Sequence, residues 1–170
     1  MSNIHAIRTL ISASLAALAM LPAVGFSQAL PAPKPVTSTL DYRMNERVIQ
    51  VPAGPDDVLL ETTVFQPDGA GPFPLIVINH GKDPGRPSLQ SRDRFYHMAS
   101  VFVKRGYAVM VPMRQGFSKS GGRYRDRGCD MTANGYTQAE DIRATLAYAR
   151  QQAWIDGARM IVAGQSYGGL

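Results

Sequence analysis

Apolar residues in this chain fall into short continuous runs that are separated by polar and glycine-rich segments. Three of these runs, Leu75–Asn79, Tyr107–Pro112 and Met160–Ala163, contain almost no polar position. A strand that is covered on both faces has this pattern, which is typical of a parallel sheet. Two earlier runs, Arg47–Val51 and Val58–Phe65, are rich in β-forming residues and bounded by Pro, Gly and Asp. They predict an antiparallel pair at the start of the fold.

Helical spacing of apolar residues separates the three buried runs. It predicts one helix over Arg92–Arg105. A second helix is predicted to begin at a capping box over Thr137–Glu140 and to end near residue 152. A glycine-rich loop over Met113–Asn134 precedes the second helix, and Asp141 is expected in that helix's first turns, where a carboxylate favours the helix dipole. The alternation of strands and helices predicts a doubly wound, mostly parallel α/β sheet.

The first 29 residues have the features of an export signal. Arg8 precedes an apolar run at Leu10–Leu21, and the small residues Ser27 and Ala29 follow. Signal peptidases require small residues in this arrangement, so cleavage is expected after Ala29. The protein is therefore predicted to be exported, to the periplasm or the exterior.

This signal divides the chain into three segments: residues 1–29, a Pro-rich linker over residues 30–40, and a folded part over residues 41–170. The apolar run of the signal is shorter than the roughly 20 residues that span a bilayer, so no stable membrane span is expected. Cys129 is the only cysteine. In an oxidising compartment it is either a buried thiol or the partner of a cysteine in further sequence of the protein.

Composition and charge narrow the class of protein. With 45% hydrophobic and 18% charged residues, the chain is not collagen-like, coiled-coil or disordered. The net charge is +5, and several of its cations lie in the loop Arg114–Arg127. That loop either recognises anionic substrate groups or, as we favour, is solvated or paired with acids in further sequence of the domain. Aromatic residues are not interleaved with these cations, so nucleic-acid binding is not expected.

The sequence that follows the third buried run carries the chemistry. Gly164, Ser166 and Gly168 form a G-x-S-x-G motif directly after a strand. In a nucleophile elbow this spacing lets the serine occupy a strained turn, with glycines where side chains would clash. A glycine-rich turn without chemistry or a phosphate-binding loop would be the alternative. A phosphate loop would contain Gly-Lys-Ser/Thr, which is absent here.

These motifs resemble the α/β-hydrolase superfamily. The branch concerned includes dienelactone hydrolase-like proteins, prolyl oligopeptidase-type peptidases and Xaa-Pro dipeptidyl-peptidase-like esterases. The resemblance rests on Phe73–Gly81, Gly106–Val109, Arg114–Gly122 and Trp154–Gly169. One departure is Gln115, where this branch often has glycine, and it puts the shape of that loop in question.

The resemblance implies a site built around Ser166 as the nucleophile. The backbone N–H groups of Lys82 and Tyr167 would form the oxyanion hole, with Gly81 allowing a close approach of the chain. His80 is expected to be a structural, hydrogen-bonded residue and not the catalytic base. The resemblance implies no metal and no cofactor.

In this superfamily the acid and the histidine base follow the serine in chain order. Because Ser166 lies four residues before Leu170, both partners are expected in further sequence. The chain would then be an N-terminal part of the domain, truncated after the elbow, and inactive and poorly soluble alone. The complete protein is predicted to be a serine hydrolase of carboxylic esters, dienelactone hydrolase-like, acting on a small ester. A serine peptidase acting on short peptides and a non-catalytic remnant are the alternatives.

Overall fold

The computed structural model of the protein describes residues 44–54 and 57–170. Within these ranges the strands are β1 (Arg47–Pro52), β2 (Leu59–Phe65), β3 (Phe73–Asn79), β4 (Ala108–Pro112) and β5 (Ile155–Gly164). Helix α1 (Tyr96–Val103) connects β3 to β4, and helix α2 (Met131–Arg150) connects β4 to β5. The predicted signal and Pro-rich linker lie outside the described residues. No helix in the described ranges is long and apolar enough to cross a membrane.

The five strands form one mixed sheet in the order β1-β2-β4-β3-β5. Strands β1 and β2 pair in antiparallel fashion, as predicted for the first two runs, and β2 pairs antiparallel with β4. Strand β3 lies between β4 and β5 and is parallel to both. The predicted α/β fold class is therefore confirmed, with the parallel part of the sheet at its β4-β3-β5 side.

The apolar run of β3 is buried on both faces because a helix packs on each side of the sheet. Leu75 and Val77 lie in the core that α2 covers with Ile142 and Ala149. The alternate residues of β3 face the opposite core, which α1 completes. This arrangement is the doubly wound architecture that the alternating elements predict, and it explains why the run contains no polar position until Asn79.

Strand β5 differs from its prediction as a fully buried strand. It is longer than the predicted Met160–Ala163, and it pairs only with β3 among the described residues. Ile161 and Val162 remain 41% and 49% exposed. The apolar run predicts burial on both faces, but the burial of a strand depends on the elements that pack on it and not on its own sequence alone.

Both helices begin at other residues than the sequence suggests. Helix α2 starts at Met131 because the Asp130 side chain accepts a hydrogen bond from the Ala133 N–H at 2.9 Å. The proposed capping box at Thr137–Glu140 is therefore wrong, as these residues lie inside the helix. Helix α1 starts later than predicted, after Phe95, whose φ of 44° is incompatible with a helix.

Two smaller expectations are corrected in the same region. Since α2 begins at Met131, Asp141 lies in the middle of the helix and not in its first turns. Its carboxylate therefore does not act on the helix dipole, whose effect is confined to the terminal turn. Cys129 lies just before the helix and is exposed. Of its two alternatives the buried thiol is therefore wrong, and pairing with a cysteine in further sequence stays a prediction.

Candidate active site

The G-x-S-x-G segment forms a tight turn at the end of β5. The strand ends at Gly164, and a short 3-10 turn follows over Ser166–Gly169. Ser166 has a φ of 52°, in the left-handed region. Glycine occupies this region freely, whereas other residues, apart from asparagine and aspartate, rarely do. The strained turn that the motif predicts is therefore present, and the serine side chain stands exposed at its tip.

The two motif glycines are required by close approach of the backbone. A Cβ on Gly168 would overlap the carbonyl oxygens of Asn79 and His80 at the end of β3. A Cβ on Gly164 would overlap the carbonyl oxygen of Gly168 and would lie 2.6 Å from the Cα of Gly169. Neither glycine has a positive φ, so the requirement here is space and not backbone conformation.

Ser166 and Lys82 line the same cavity, which has a volume of about 300 Å³. The His80-Gly81-Lys82 loop lies directly against the elbow, because a Cβ on Gly81 would lie 3.3 Å from the Cβ of Ser166. Two carboxylates, Asp83 and Asp93, also line the cavity. Burial, with a smaller contribution from the neighbouring Asp83, raises the pKa of Asp93. The structure thus brings the predicted nucleophile and the predicted oxyanion loop together.

Side chains from β3 and α2 fix the carbonyl groups of the elbow. The Asn79 amide donates to the Gly168 carbonyl at 2.7 Å, and the Gln138 amide donates to the Tyr167 carbonyl at 3.0 Å. The Asn79 amide also donates to the Gln138 oxygen at 3.2 Å. Sequence reasoning missed both residues. A polar residue that ends an otherwise apolar strand, as Asn79 does, was the available signal.

His80 is fully buried and uses both of its ring nitrogens. Its Nε2 accepts a hydrogen bond from the Arg114 backbone N–H at 3.0 Å, so its proton is assigned to Nδ1, which donates to the Gly81 carbonyl at 2.6 Å. Burial, assisted by the Arg114 charge, lowers the pKa of His80 to about 3. A neutral imidazole with both nitrogens engaged cannot take the Ser166 proton. The predicted structural role is confirmed.

The low pKa of His80 predicts an acid-dependent loss of stability. Below about pH 6.5 the unfolded chain binds a proton at this histidine that the folded chain binds only near pH 3. The stability advantage of the wild type over His80→Gln should therefore shrink by about 1.4 kcal/mol per pH unit as the pH falls from about 6 to about 4. Urea unfolding across this range measures the effect. His97→Gln removes an exposed histidine and is the control. Parallel plots of unfolding free energy against pH for the wild type and His80→Gln would contradict the burial of His80.

The basic loop after β4 is not uniformly exposed to solvent. Arg125 forms an ion pair with Glu140 of α2 at 2.6 Å. Arg114 is buried, with 3% of its surface exposed, and donates to the carbonyls of the His80-Gly81-Lys82 loop, the predicted oxyanion loop, instead of to solvent. Our preferred expectation of a solvated loop is therefore wrong for Arg114. The centre of the Tyr124 ring, in the same loop, lies 5.7 Å from the Lys82 ammonium nitrogen.

Gln115, the departure from the family pattern, attaches this loop to α2. Its backbone N–H and its side-chain amide donate to the two carboxylate oxygens of Asp141 at 2.9 and 2.7 Å. Burial raises the pKa of Asp141 despite these bonds. The Gln115 oxygen also fills the space where a Cβ on Gly122 would lie, 2.6 Å away. Gln115 therefore has a defined structural place in this loop.

Comparison with known proteins identifies a family model and a curated relative that match most of the chain. Residues 56–170 match the X-Pro dipeptidyl-peptidase (S15) family. The chain is 32% identical over 133 residues to the quorum-quenching protein AidA of Acinetobacter baumannii, covering 74% of this chain and 40% of that protein.

Solved structures show the same fold. The α/β hydrolase GrgF from Penicillium sp. sh18 superimposes with a TM-score of 0.54 at 16% identity, covering 72% of this chain and 38% of that one. The esterase Pf2001 of Pyrococcus furiosus gives a TM-score of 0.52 at 19% identity, covering 74% of this chain and 43% of that one. The chain therefore spans less than half of the length of each of these relatives.

Proposed function

Because the chain belongs to the X-Pro dipeptidyl-peptidase (S15) family, we propose that it carries the nucleophile of a serine hydrolase that cleaves carboxylic esters. The observation that carries this proposal is the position of Ser166. It stands at a φ of 52° on a turn that directly follows a strand, and it shares a cavity with the loop that follows β3. A serine held in a strained conformation beside a cavity is typical of a nucleophile elbow.

The proposed reaction proceeds through an acyl-enzyme. The Ser166 oxygen attacks the ester carbonyl carbon while a general base removes the hydroxyl proton. The carbonyl oxygen becomes an oxyanion that accepts hydrogen bonds from the backbone N–H groups of Lys82 and Tyr167. Collapse of this intermediate breaks the bond to the alcohol, which leaves with the proton. Water then attacks the acyl-enzyme in the same way and releases the acid.

We propose that the general base and its acid partner are supplied by residues outside those that the structure describes. His80 has both ring nitrogens engaged, and no hydrogen bond in the described part of the chain joins Ser166 to His97. In this fold the two partners follow the nucleophile in chain order. An aspartate or glutamate followed by a histidine in the coding sequence after Leu170 would support this assignment. A stop codon there would favour a non-catalytic remnant.

A serine peptidase is the second candidate, and the family match favours it. The two candidates share the nucleophile and the oxyanion hole, and they differ in the leaving group, an alcohol or an amine. The complete protein assayed with p-nitrophenyl acetate and with an Xaa-Pro p-nitroanilide separates them. Both enzymes would cleave the activated ester, so cleavage of the anilide decides between them. We expect the ester to be cleaved and the anilide to remain intact. Cleavage of the anilide would assign the peptidase, and cleavage of neither substrate would contradict both candidates.

We also propose that the protein acts after export, on a small ester or short peptide in the periplasm or outside the cell. The basis is the signal pattern of residues 1–29, with small residues before the expected cleavage point. Mass spectrometry of the protein recovered from its native host is expected to find Leu30 as the first residue. An intact N-terminus at Met1 in the cytoplasmic fraction would contradict export.

A further inference from the structure

Arg114 is a buried cation that holds the oxyanion loop through its guanidinium group. One guanidinium nitrogen donates to the Asn79 side-chain oxygen at 2.6 Å and also to the His80 carbonyl. The second terminal nitrogen, Nη2, donates to the Gly81 carbonyl at 3.2 Å. Its own backbone N–H donates to the His80 ring. Residues 79–81 connect β3 to the cavity that contains Ser166, so a single side chain binds all three residues of that connection.

No carboxylate forms a direct ion pair with Arg114 among the described residues. Burial lowers the pKa of Arg114 to about 10, while the more distant charge of Asp141 opposes that change, so the group is still a cation at neutral pH. A buried charge is costly unless polar groups satisfy it. Here those groups are backbone carbonyls and one amide of the candidate site, which suggests that the charge serves the geometry of that site.

The Gly81 carbonyl determines the direction of the next N–H group. The peptide bond between Gly81 and Lys82 is trans, and in a planar trans peptide the C=O and the N–H point in opposite directions. Both His80 Nδ1–H and Arg114 donate to this carbonyl, at 2.6 and 3.2 Å. The Lys82 N–H is therefore directed away from Arg114. Gly81 and Lys82 line the cavity that contains Ser166, and Arg114 does not line it.

We propose that Arg114 is a positioning residue that presets the Lys82 N–H as an oxyanion donor. This inference rests on the proposed function. The same side chain also reaches the elbow, because Asn79, which accepts from Arg114, donates to the Gly168 carbonyl at 2.7 Å. Arg114 thus fixes the position of the oxyanion loop relative to the elbow before substrate binds. Preorganised donors need no rearrangement when charge develops, which is the main source of their catalytic effect.

Two substitutions in the complete protein test this role. Arg114→Met removes the charge and all three side-chain hydrogen bonds while retaining an unbranched side chain. Arg114→Lys keeps the charge but cannot bind the carbonyls as a planar fork. Arg105→Met is the matched control, since Arg105 is exposed on the surface and its side chain donates only to the Val101 carbonyl of α1 among the described residues.

The readouts are kcat per titrated active site, KM for p-nitrophenyl acetate, and inhibition by a trifluoromethyl ketone and by the matching methyl ketone. The trifluoromethyl ketone binds serine as a tetrahedral oxyanion, whereas the methyl ketone resembles the ground state. For Arg114→Met we expect kcat to fall about 10²-fold and trifluoromethyl ketone affinity to fall similarly. KM and methyl ketone affinity should stay within about threefold. Arg114→Lys should recover part of the lost kcat, and the control should match the wild type.

A purely structural role would lower the number of titratable sites without changing kcat per site. Unchanged kcat per site and unchanged trifluoromethyl ketone affinity in Arg114→Met would therefore overturn the inference. If that variant does not fold, the same comparison is made with Arg114→Lys, where a value equal to the wild type would overturn it. A wild type that forms no adduct with either ketone and cleaves no ester would instead refute the proposed function, and this inference with it.

Discussion

Replacing Ser166 by alanine is expected to lower ester turnover by the complete protein by about 10⁴-fold or more. The reason is chemical, since the hydroxyl oxygen is the atom that bonds to the substrate carbonyl. Its removal should leave stability within about 0.5 kcal/mol of the wild type, as expected for an exposed position away from packing. The Ser166 side chain is exposed, and no hydrogen bond in the described part of the chain involves its hydroxyl. Ester turnover by wild type and variant, with urea unfolding of each, measures both effects.

Ser91→Ala is the matched control for this substitution, because Ser91 is also exposed and lies on the loop before α1. It is expected to retain wild-type kcat and stability. A Ser166→Ala protein that keeps more than about one hundredth of the wild-type kcat would show that another group is the nucleophile. The ester assay would then have to be repeated with the remaining exposed serines changed one at a time.

Gly168→Ala is expected to lower both the stability of the protein and its activity. Its new methyl group would overlap the carbonyl oxygens of Asn79 and His80. The Asn79 carbonyl at the end of β3 accepts a hydrogen bond from the Gln165 N–H, and the His80 carbonyl accepts one from the Arg114 guanidinium, so neither is free to move away. We expect a loss of about 1–3 kcal/mol of unfolding free energy, as in overpacked cores. Because the elbow would separate from the oxyanion loop, kcat should also fall about 10²-fold.

Gly169→Ala, one residue further, is the control. There the nearest atom to a new Cβ is the Gly164 carbonyl oxygen at 3.7 Å, an ordinary van der Waals distance, and Gly169 does not have a positive φ. Urea unfolding and ester turnover of the two alanine variants are compared side by side. Equal behaviour of both variants would contradict the packing described for the elbow.

Local sequence patterns predicted those parts of the molecule that depend on local structure. The apolar run before Asn79 identified a strand buried on both faces, and the G-x-S-x-G spacing identified a strained turn at Ser166. Both features follow from steric rules that apply within a few residues. The proximity of the loop containing Lys82 to the elbow followed from the parallel arrangement, because the carboxyl ends of parallel strands meet at one edge of the sheet.

Features that depend on distant contacts could not be predicted in the same way. In the sequence Arg114 resembles the other cations of its loop, and only the fold shows that its side chain donates hydrogen bonds to residues 79–81. The exposure of Val162 depends on which strands pair with β5, and its own sequence does not specify this. The predicted start of α2 at Thr137 is wrong, since the helix already contains Asn134 and Gly135, which are poor helix formers. In the structure the Asn134 side chain binds the Gly128 carbonyl and the Arg127 N–H, which connects the loop to the helix.

The central claim is that Ser166 is an activated nucleophile, and covalent labelling tests it most directly. The complete protein is incubated with a fluorophosphonate, digested, and analysed by mass spectrometry, with Ser166→Ala treated in parallel. We expect one adduct per chain, on the peptide that contains Ser166, and none on the variant. Labelling at another residue, or no labelling of a folded wild-type protein that contains its complete sequence, would contradict the assignment of Ser166 as the nucleophile.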